Sequence, residues 1–204
     1  MQALQWSQLY PDRVGALLSI CATARCYPHN AVFLDGVASA LRADGAFAEG
    51  GYQSPPRRGL TAFATVYAGW AYSQLFYREG MYRELGFESI SALLDYWVQD
   101  HLAQDANNLL AQVATWRSGD VFNSAGMTEA SIQPLRCPGV LMPSSTDLYF
   151  TAADAAQDAA TLGAKLQVLE SPFGHIAGGP GRLASETQEV FAVMAELLQG
   201  HSAV

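Results

Sequence analysis

Short apolar runs alternate with amphipathic stretches in this chain, and the alternation predicts its architecture. Residues 14–20, 139–142 and 165–169 are brief runs rich in Val, Leu and Ile. The first follows the turn Pro11-Asp12-Arg13, the second is halted by Pro143, and the third is preceded by Gly163. Runs of this length bounded by Pro and Gly read as buried strands. Residues 151–162 read as a helix opened by Thr151, with Asp154 three positions on and Gly163 as its stop. The last helix is expected to open on Ser185-Glu186-Thr187-Gln188, a spacing that lets serine and glutamine side chains satisfy free backbone amides. Val190, Phe191, Met194, Leu197 and Leu198 then fall on one face, and Gly200 ends the helix. Met1-Gln2-Ala3-Leu4-Gln5-Trp6 has the character of a helix already under way. Buried strands separated by amphipathic helices imply an α/β fold with a parallel sheet.

Between the first two strands lies a long insertion, residues 27–133, which holds most of the chain's aromatic side chains, among them Phe33, Tyr67, Trp70, Tyr82, Trp97 and Trp116. Structureless segments of that length are rare in compact domains, so the insertion must be helical or a subdomain. Residues 59–79, 89–103 and 107–117 are its expected helices. The division predicted is a partial α/β core of residues 1–26 and 134–204 and a helical cap of residues 27–133. The aromatics either form the cap's own core or also line a substrate pocket, because junctions of this kind are where small-molecule pockets form.

Composition narrows the function classes. The chain has 204 residues, enough for one domain with a sizeable core. Eleven basic against nineteen acidic residues give a net charge of −8, which argues against a nucleic-acid partner, and Pro56-Arg57-Arg58 is too short to make a binding stripe. Three cysteines, Cys21, Cys26 and Cys137, have no CxxC spacing, and four scattered histidines form no ligand pattern, so no metal and no disulfide framework is expected. No apolar run reaches the ~20 residues that span a bilayer. The first ten residues do not read as a secretory signal, and the last four match no address signal. A cytoplasmic location is the expectation; the oligomeric state is left open.

The candidate chemistry lies at two strand ends. Asp147, in Ser144-Ser145-Thr146-Asp147-Leu148-Tyr149-Phe150, comes five residues after the second strand. His175, in Ser171-Pro172-Phe173-Gly174-His175, comes six residues after the third. Acyl transfer by a hydroxyl needs a base to take its proton and a carboxylate to fix the base's tautomer. Open parallel sheets present such groups at the carboxyl ends of strands, and acid before histidine is the order of the α/β-hydrolase fold. Each residue alone has a plainer reading, Asp147 as a turn or cap residue and His175 as structural. His29, His101 and His201 have no such partner and read as surface or cap residues. Ser144 and Ser145 lie on the acid's own loop without a glycine-flanked elbow, and Cys21 reads as a small buried hydrophobe. No G-x-S-x-G sequence and no Gly-rich phosphate loop occurs.

These segments resemble the homoserine O-acetyltransferase family of α/β-hydrolases. Met1-Gln2-Ala3-Leu4-Gln5-Trp6 and Tyr10-Pro11-Asp12-Arg13-Val14 are similar to the helix and strand that follow its nucleophile elbow. The segments around Asp147 and His175 resemble its acid and histidine loops, and Asp105-Ala106-Asn107 resembles a motif of its cap. The resemblance implies the C-terminal portion of an α/β-hydrolase fold, about three parallel strands with flanking helices and a large helical insertion. It also implies a ping-pong mechanism in which His175 is base then acid and Asp147 orients it. By that match the family's serine would lie four residues before Met1, together with five strands and half the oxyanion hole. The chain by itself is then expected to lack its nucleophile and to be inactive. A mis-called start or a relic gene would each give this pattern.

Two departures bear on substrate. Where members acting on homoserine have Asp after the histidine, this chain has Ile176. After Gly59-Leu60, where they carry Arg, it has Thr61-Ala62-Phe63. A zwitterionic acceptor would meet no partner for its charges. A small ester or a less polar alcohol fits better, with acetyl-CoA as co-substrate if the protein is a transferase and no bound cofactor. The other reading is a non-catalytic fragment that binds a partner across the open edge of its first strand.

Overall fold

The computed structural model describes residues 1–48, 51–123, 126–179 and 183–201. Three strands, β1 (Leu17–Ile20), β2 (Gly139–Met142) and β3 (Lys165–Leu166), form one parallel sheet in the order β1-β2-β3. Leu17 pairs with Gly139 and Ile20 with Met142, while Val140 pairs with Lys165. Parallel neighbours need long crossovers. One crossover is helix α7 (Ala152–Leu162); the other holds α2 (Pro28–Arg42), α3 (Arg57–Ala71), α4 (Gln74–Arg78), α5 (Ile90–Leu102) and α6 (Ala106–Arg117). Helix α1 (Gln2–Leu9) precedes the sheet and α8 (Ala184–His201) follows it.

The prolines flanking β2 explain where the ladder deviates from the expected strands. The first strand begins at Leu17, not at residue 14, and its first bond runs from the Leu17 N–H to the Pro138 carbonyl, 2.9 Å. Pro143 has no N–H to give, so the ladder is interrupted between the Gln167 N–H, which donates to the Leu141 carbonyl at 3.0 Å, and the Leu169 N–H, which donates to the Pro143 carbonyl at 2.8 Å. Lys165 and Leu166 are exposed, so the third run is an edge strand and not a buried one.

Helix α7 keeps its expected chemistry: Thr151 accepts from the Asp154 N–H, and Gly163 closes it at φ 64°. Helix α8 differs at both ends. It is under way at Ala184, so Ser185 lies inside its first turn and does not cap it, and it continues through Gly200 to His201. Its expected apolar face is split. Val190 and Val193 are buried and Leu197 packs on the core, whereas Phe191, Met194 and Leu198 are exposed. Neighbouring positions one residue apart point ~100° away from each other, so both sets cannot face the sheet.

Helix α2 is absent from the helices expected in the insertion. Its signals are ordinary: Pro28 in the first turn, Arg42 in the last, and Leu34, Val37, Ala38 and Leu41 buried at helical spacing. The helix expected over 59–79 is two helices. Tyr72 is extended at ψ 150°, and Ser73 caps α4 by accepting from the Phe76 N–H at 2.9 Å. Three clusters make the core. One surrounds the sheet's histidine-side face, with Met142, Phe173 and Val190; another joins α2, α3 and α6 to Tyr149 and Phe150; the third packs α1 and α7 on Leu17 and Leu141. Among the described residues, no helix is long and apolar enough to cross a membrane.

Candidate active site

Asp147 and His175 come from loops 28 residues apart, and the fold brings them together. His175 Nδ1 lies 2.9 Å from Asp147 Oδ2. The other carboxylate oxygen, Oδ1, accepts the N–H groups of Tyr149 and Phe150, each at 3.0 Å. Three donors thus fix the carboxylate's plane. The Asp147 side chain is fully buried, whereas that of His175 keeps 27% of its surface exposed. Donation from Nδ1 leaves Nε2 as the ring's proton-accepting atom. This is the arrangement a hydroxyl nucleophile needs from its base: an oriented imidazole, backed by a buried anion, open on one side.

The loops are joined by hydroxyls as well as by the pair itself. Thr146 Oγ1 donates to the Ser171 carbonyl at 2.6 Å and accepts from the Gly174 N–H at 3.1 Å. Ser145 Oγ accepts from the Ser171 N–H at 3.2 Å. The corner between α3 and α4 closes on the same loop, with Ser73 Oγ donating to the Pro172 carbonyl at 2.5 Å. Gly174 has φ 68°, and a Cβ there would lie 2.7 Å from Ser73 N and 2.8 Å from the Ala71 carbonyl oxygen. Only glycine allows the loop to run this close to the corner.

Aromatic rings wall the imidazole. Tyr149, Phe150 and Trp116 have ring centroids 4.6, 5.3 and 6.4 Å from it. Phe33 stacks on Tyr149 at 5.1 Å. Behind them is a cavity of about 60 Å³ lined by Phe33, Phe63, Tyr67, Leu109, Val113 and Trp116. On another side, His175 borders an open cleft of about 430 Å³ with Ile20, Cys21 and Ile176. Ile176 is therefore a wall of that cleft.

The other candidates sit elsewhere. Ser144 is fully buried, and Ser145 is occupied between the loops. His29 rests against Trp70, 4.9 Å between centroids. His101 is not a surface residue: it is 5% exposed, stacks on Trp97, and its Nδ1 lies 2.9 Å from the Trp97 carbonyl oxygen. The side chain of His201 lies outside the described residues.

Cys21 ends β1 in a left-handed conformation, φ 43°, with its thiol 3.6 Å from the Ala177 carbonyl oxygen. Burial, with Asp147 nearby, pushes the thiol up to about 12. Thiolate is the reactive form, so Cys21 is expected to resist alkylation by iodoacetamide at pH 8 in the folded chain and to react on unfolding. Mass spectrometry of labelled peptides checks this; modification of Cys21 at the rate of a free thiol would show the burial to be wrong.

Sequence reasoning missed Thr146, Ser171 and Glu186 as parts of the site. Glu186, which lies between the Ser185 and Gln188 of the expected capping box and was given no role of its own, is 3% exposed and accepts from the Ser171 hydroxyl and from the Gly178 N–H, the latter at 3.0 Å. Nothing in its local sequence marks that role.

Comparison with known proteins places the site in a family. No protein-family model matches the chain. An ethyl acetate hydrolase of Pseudomonas veronii is 31% identical over 202 residues, 97% of this chain and 58% of its own. A homoserine O-succinyltransferase of Marinobacter nauticus is 30% identical over 198 residues, covering 86% of this chain and 51% of its own. The crystal structure of an acetylester hydrolase from Corynebacterium glutamicum superposes with a TM-score of 0.90 at 28% identity, over 97% of this chain and 58% of that one. The chain has the fold of α/β-hydrolases and is similar over most of its length to esterases and homoserine O-acyltransferases. Acyl transfer or ester hydrolysis is the chemistry of those relatives. This α/β-hydrolase chain spans a little over half the length of the relatives it matches.

Proposed function

We propose that the protein hydrolyses small, short-acyl esters, with a serine from outside these 204 residues as nucleophile, His175 as base and then acid, and Asp147 as its orienting carboxylate. The observation that carries this reading is the bond from Nδ1 to Oδ2, with the acid fully buried and the base partly open. The serine oxygen attacks the ester carbonyl as its proton passes to His175 Nε2. The tetrahedral intermediate collapses, and the leaving alkoxide takes that proton as the alcohol. Water then attacks the acyl-enzyme, giving its proton to Nε2, which returns it to the departing serine. Asp147 stays ionised and stabilises the imidazolium at both stages.

The apolar surroundings favour an uncharged substrate over homoserine. Ile176 and the rings near His175 carry no charge that could pair with an ammonium or a carboxylate, and burying an unpaired charge costs several kcal/mol. Water is the simplest acceptor in this reading; an alcohol acceptor with acetyl-CoA as donor is the transferase form of the same chemistry.

A version extended at its N-terminus to the relatives' length is expected to hydrolyse ethyl acetate and nitrophenyl acetate, and nitrophenyl octanoate much more slowly. The 204 residues alone are expected to turn over none of them. Acetyl transfer from acetyl-CoA to homoserine that outpaces hydrolysis would sink the ester reading. Full activity after replacing the upstream serine by alanine would sink the mechanism.

A further inference from the structure

We infer that Glu186 is a positioning residue for His175, acting through both ends of the histidine loop; as a statement about catalysis this rests on the reading above. Glu186 stands in the first turn of α8 and is 3% exposed. A carboxylate at that depth costs several kcal/mol unless donors surround it. Its two oxygens take their donors from opposite sides of the base. Oε1 accepts the Ser171 hydroxyl, and Oε2 accepts the Gly178 N–H at 3.0 Å. Ser171 lies four residues before His175 and Gly178 three after it, so one carboxylate spans the whole loop.

Each anchor is itself constrained. Ser171 Oγ also accepts the Phe173 N–H at 3.0 Å, and the Ser171 carbonyl is held by Thr146 from the acid loop. Gly178 is left-handed, φ 70°, and a Cβ there would lie 3.1 Å from Leu169 and 3.3 Å from Val190. Thr146 therefore holds the loop towards Asp147, and Glu186 holds it towards α8. Removing Glu186 leaves the Ser171 hydroxyl and the Gly178 amide without their acceptor and frees the loop to shift. A displacement of about 1 Å at a catalytic group is enough to cost roughly a hundredfold in rate.

The test needs no turnover. In the 204-residue chain, proton NMR follows the hydrogen held between His175 Nδ1 and Asp147, and nitrogen-15 shifts of the ring report its tautomer. D147N identifies the signal by removing it. E186A is expected to speed exchange of that proton at least tenfold. E186Q should fall between E186A and the parent, since its amide oxygen can still accept from Ser171 but its NH₂ cannot accept from Gly178. S171A should speed exchange about threefold. Circular dichroism reports whether each variant folds; if E186A does not, E186Q and S171A decide. Folded variants that lose thermal stability but keep the parent's exchange rate and tautomer would overturn the proposal, because Glu186 would then be structural only. Absence of esterase activity in the extended protein would overturn the functional reading and leave this measurement standing.

Discussion

Replacing His175 by alanine in a protein of the relatives' length is expected to lower kcat/KM for nitrophenyl acetate by roughly 10⁴-fold or more, about 5.5 kcal/mol of transition-state stabilisation. The imidazole is both the acceptor of the nucleophile's proton and the donor to the leaving alcohol, so no other group in contact with it can take over. D147N should cost a similar factor for a different reason. With an amide in place of Oδ2, the bond of 2.9 Å to Nδ1 no longer selects the tautomer that leaves Nε2 unprotonated. The two losses will not add: the double variant is expected to be within about tenfold of H175A, since both remove one unit. Steady-state kinetics on the three variants checks this. Activity within tenfold of the parent in H175A would remove the base from the mechanism altogether.

The second large effect is expected at Gly174, on stability as much as on rate. Alanine there must hold φ 68°, which costs an L-residue roughly 1–2 kcal/mol. Its Cβ would also press on backbone atoms of the α3–α4 corner, Ser73 N at 2.7 Å, Ala71 O at 2.8 Å and Tyr72 C at 3.0 Å. Backbone cannot rotate away as a side chain can, and overpacking of this kind costs roughly 1–3 kcal/mol. Together these lower the melting temperature by roughly 10 °C for a chain of this size. Gly69, inside α3 with nothing within 4 Å of its notional Cβ, is the control: G69A should leave the melting temperature unchanged or raise it. A G174A melt within 2 °C of the parent would show that loop and corner are not packed as described.

The parallel sheet and the meeting of Asp147 with His175 were legible because both rest on local signals. Prolines and glycines bracket the strands, and strand ends put Asp147 and His175 on one rim. The boundaries were less legible where a neighbour decides them. The start of β1 is set by Pro138 and the break in β3 by Pro143, both on β2. The split between α3 and α4 has a similar cause: the sequence 59–79 has helical character throughout, and the extended Tyr72 makes sense only against Gly174. Glu186 went unnoticed for the same kind of reason. Its partners, Ser171 and Gly178, are brought to it by the tertiary fold and not by its neighbours in sequence. Helix α2 is a different case, since its own signals were sufficient.

The bond from Ser73 to Pro172 and the bare Gly174 beneath that corner also constrain traffic through the site. The corner that roofs the histidine is fastened to the loop on which the histidine stands. It cannot swing aside as a door without carrying the base with it and parting it from Asp147. A substrate has to arrive, and its alcohol has to leave, by another side. The open flank bordered by Ile20, Cys21 and Ile176 is one such route, and there a passing molecule meets the imidazole without disturbing what holds it.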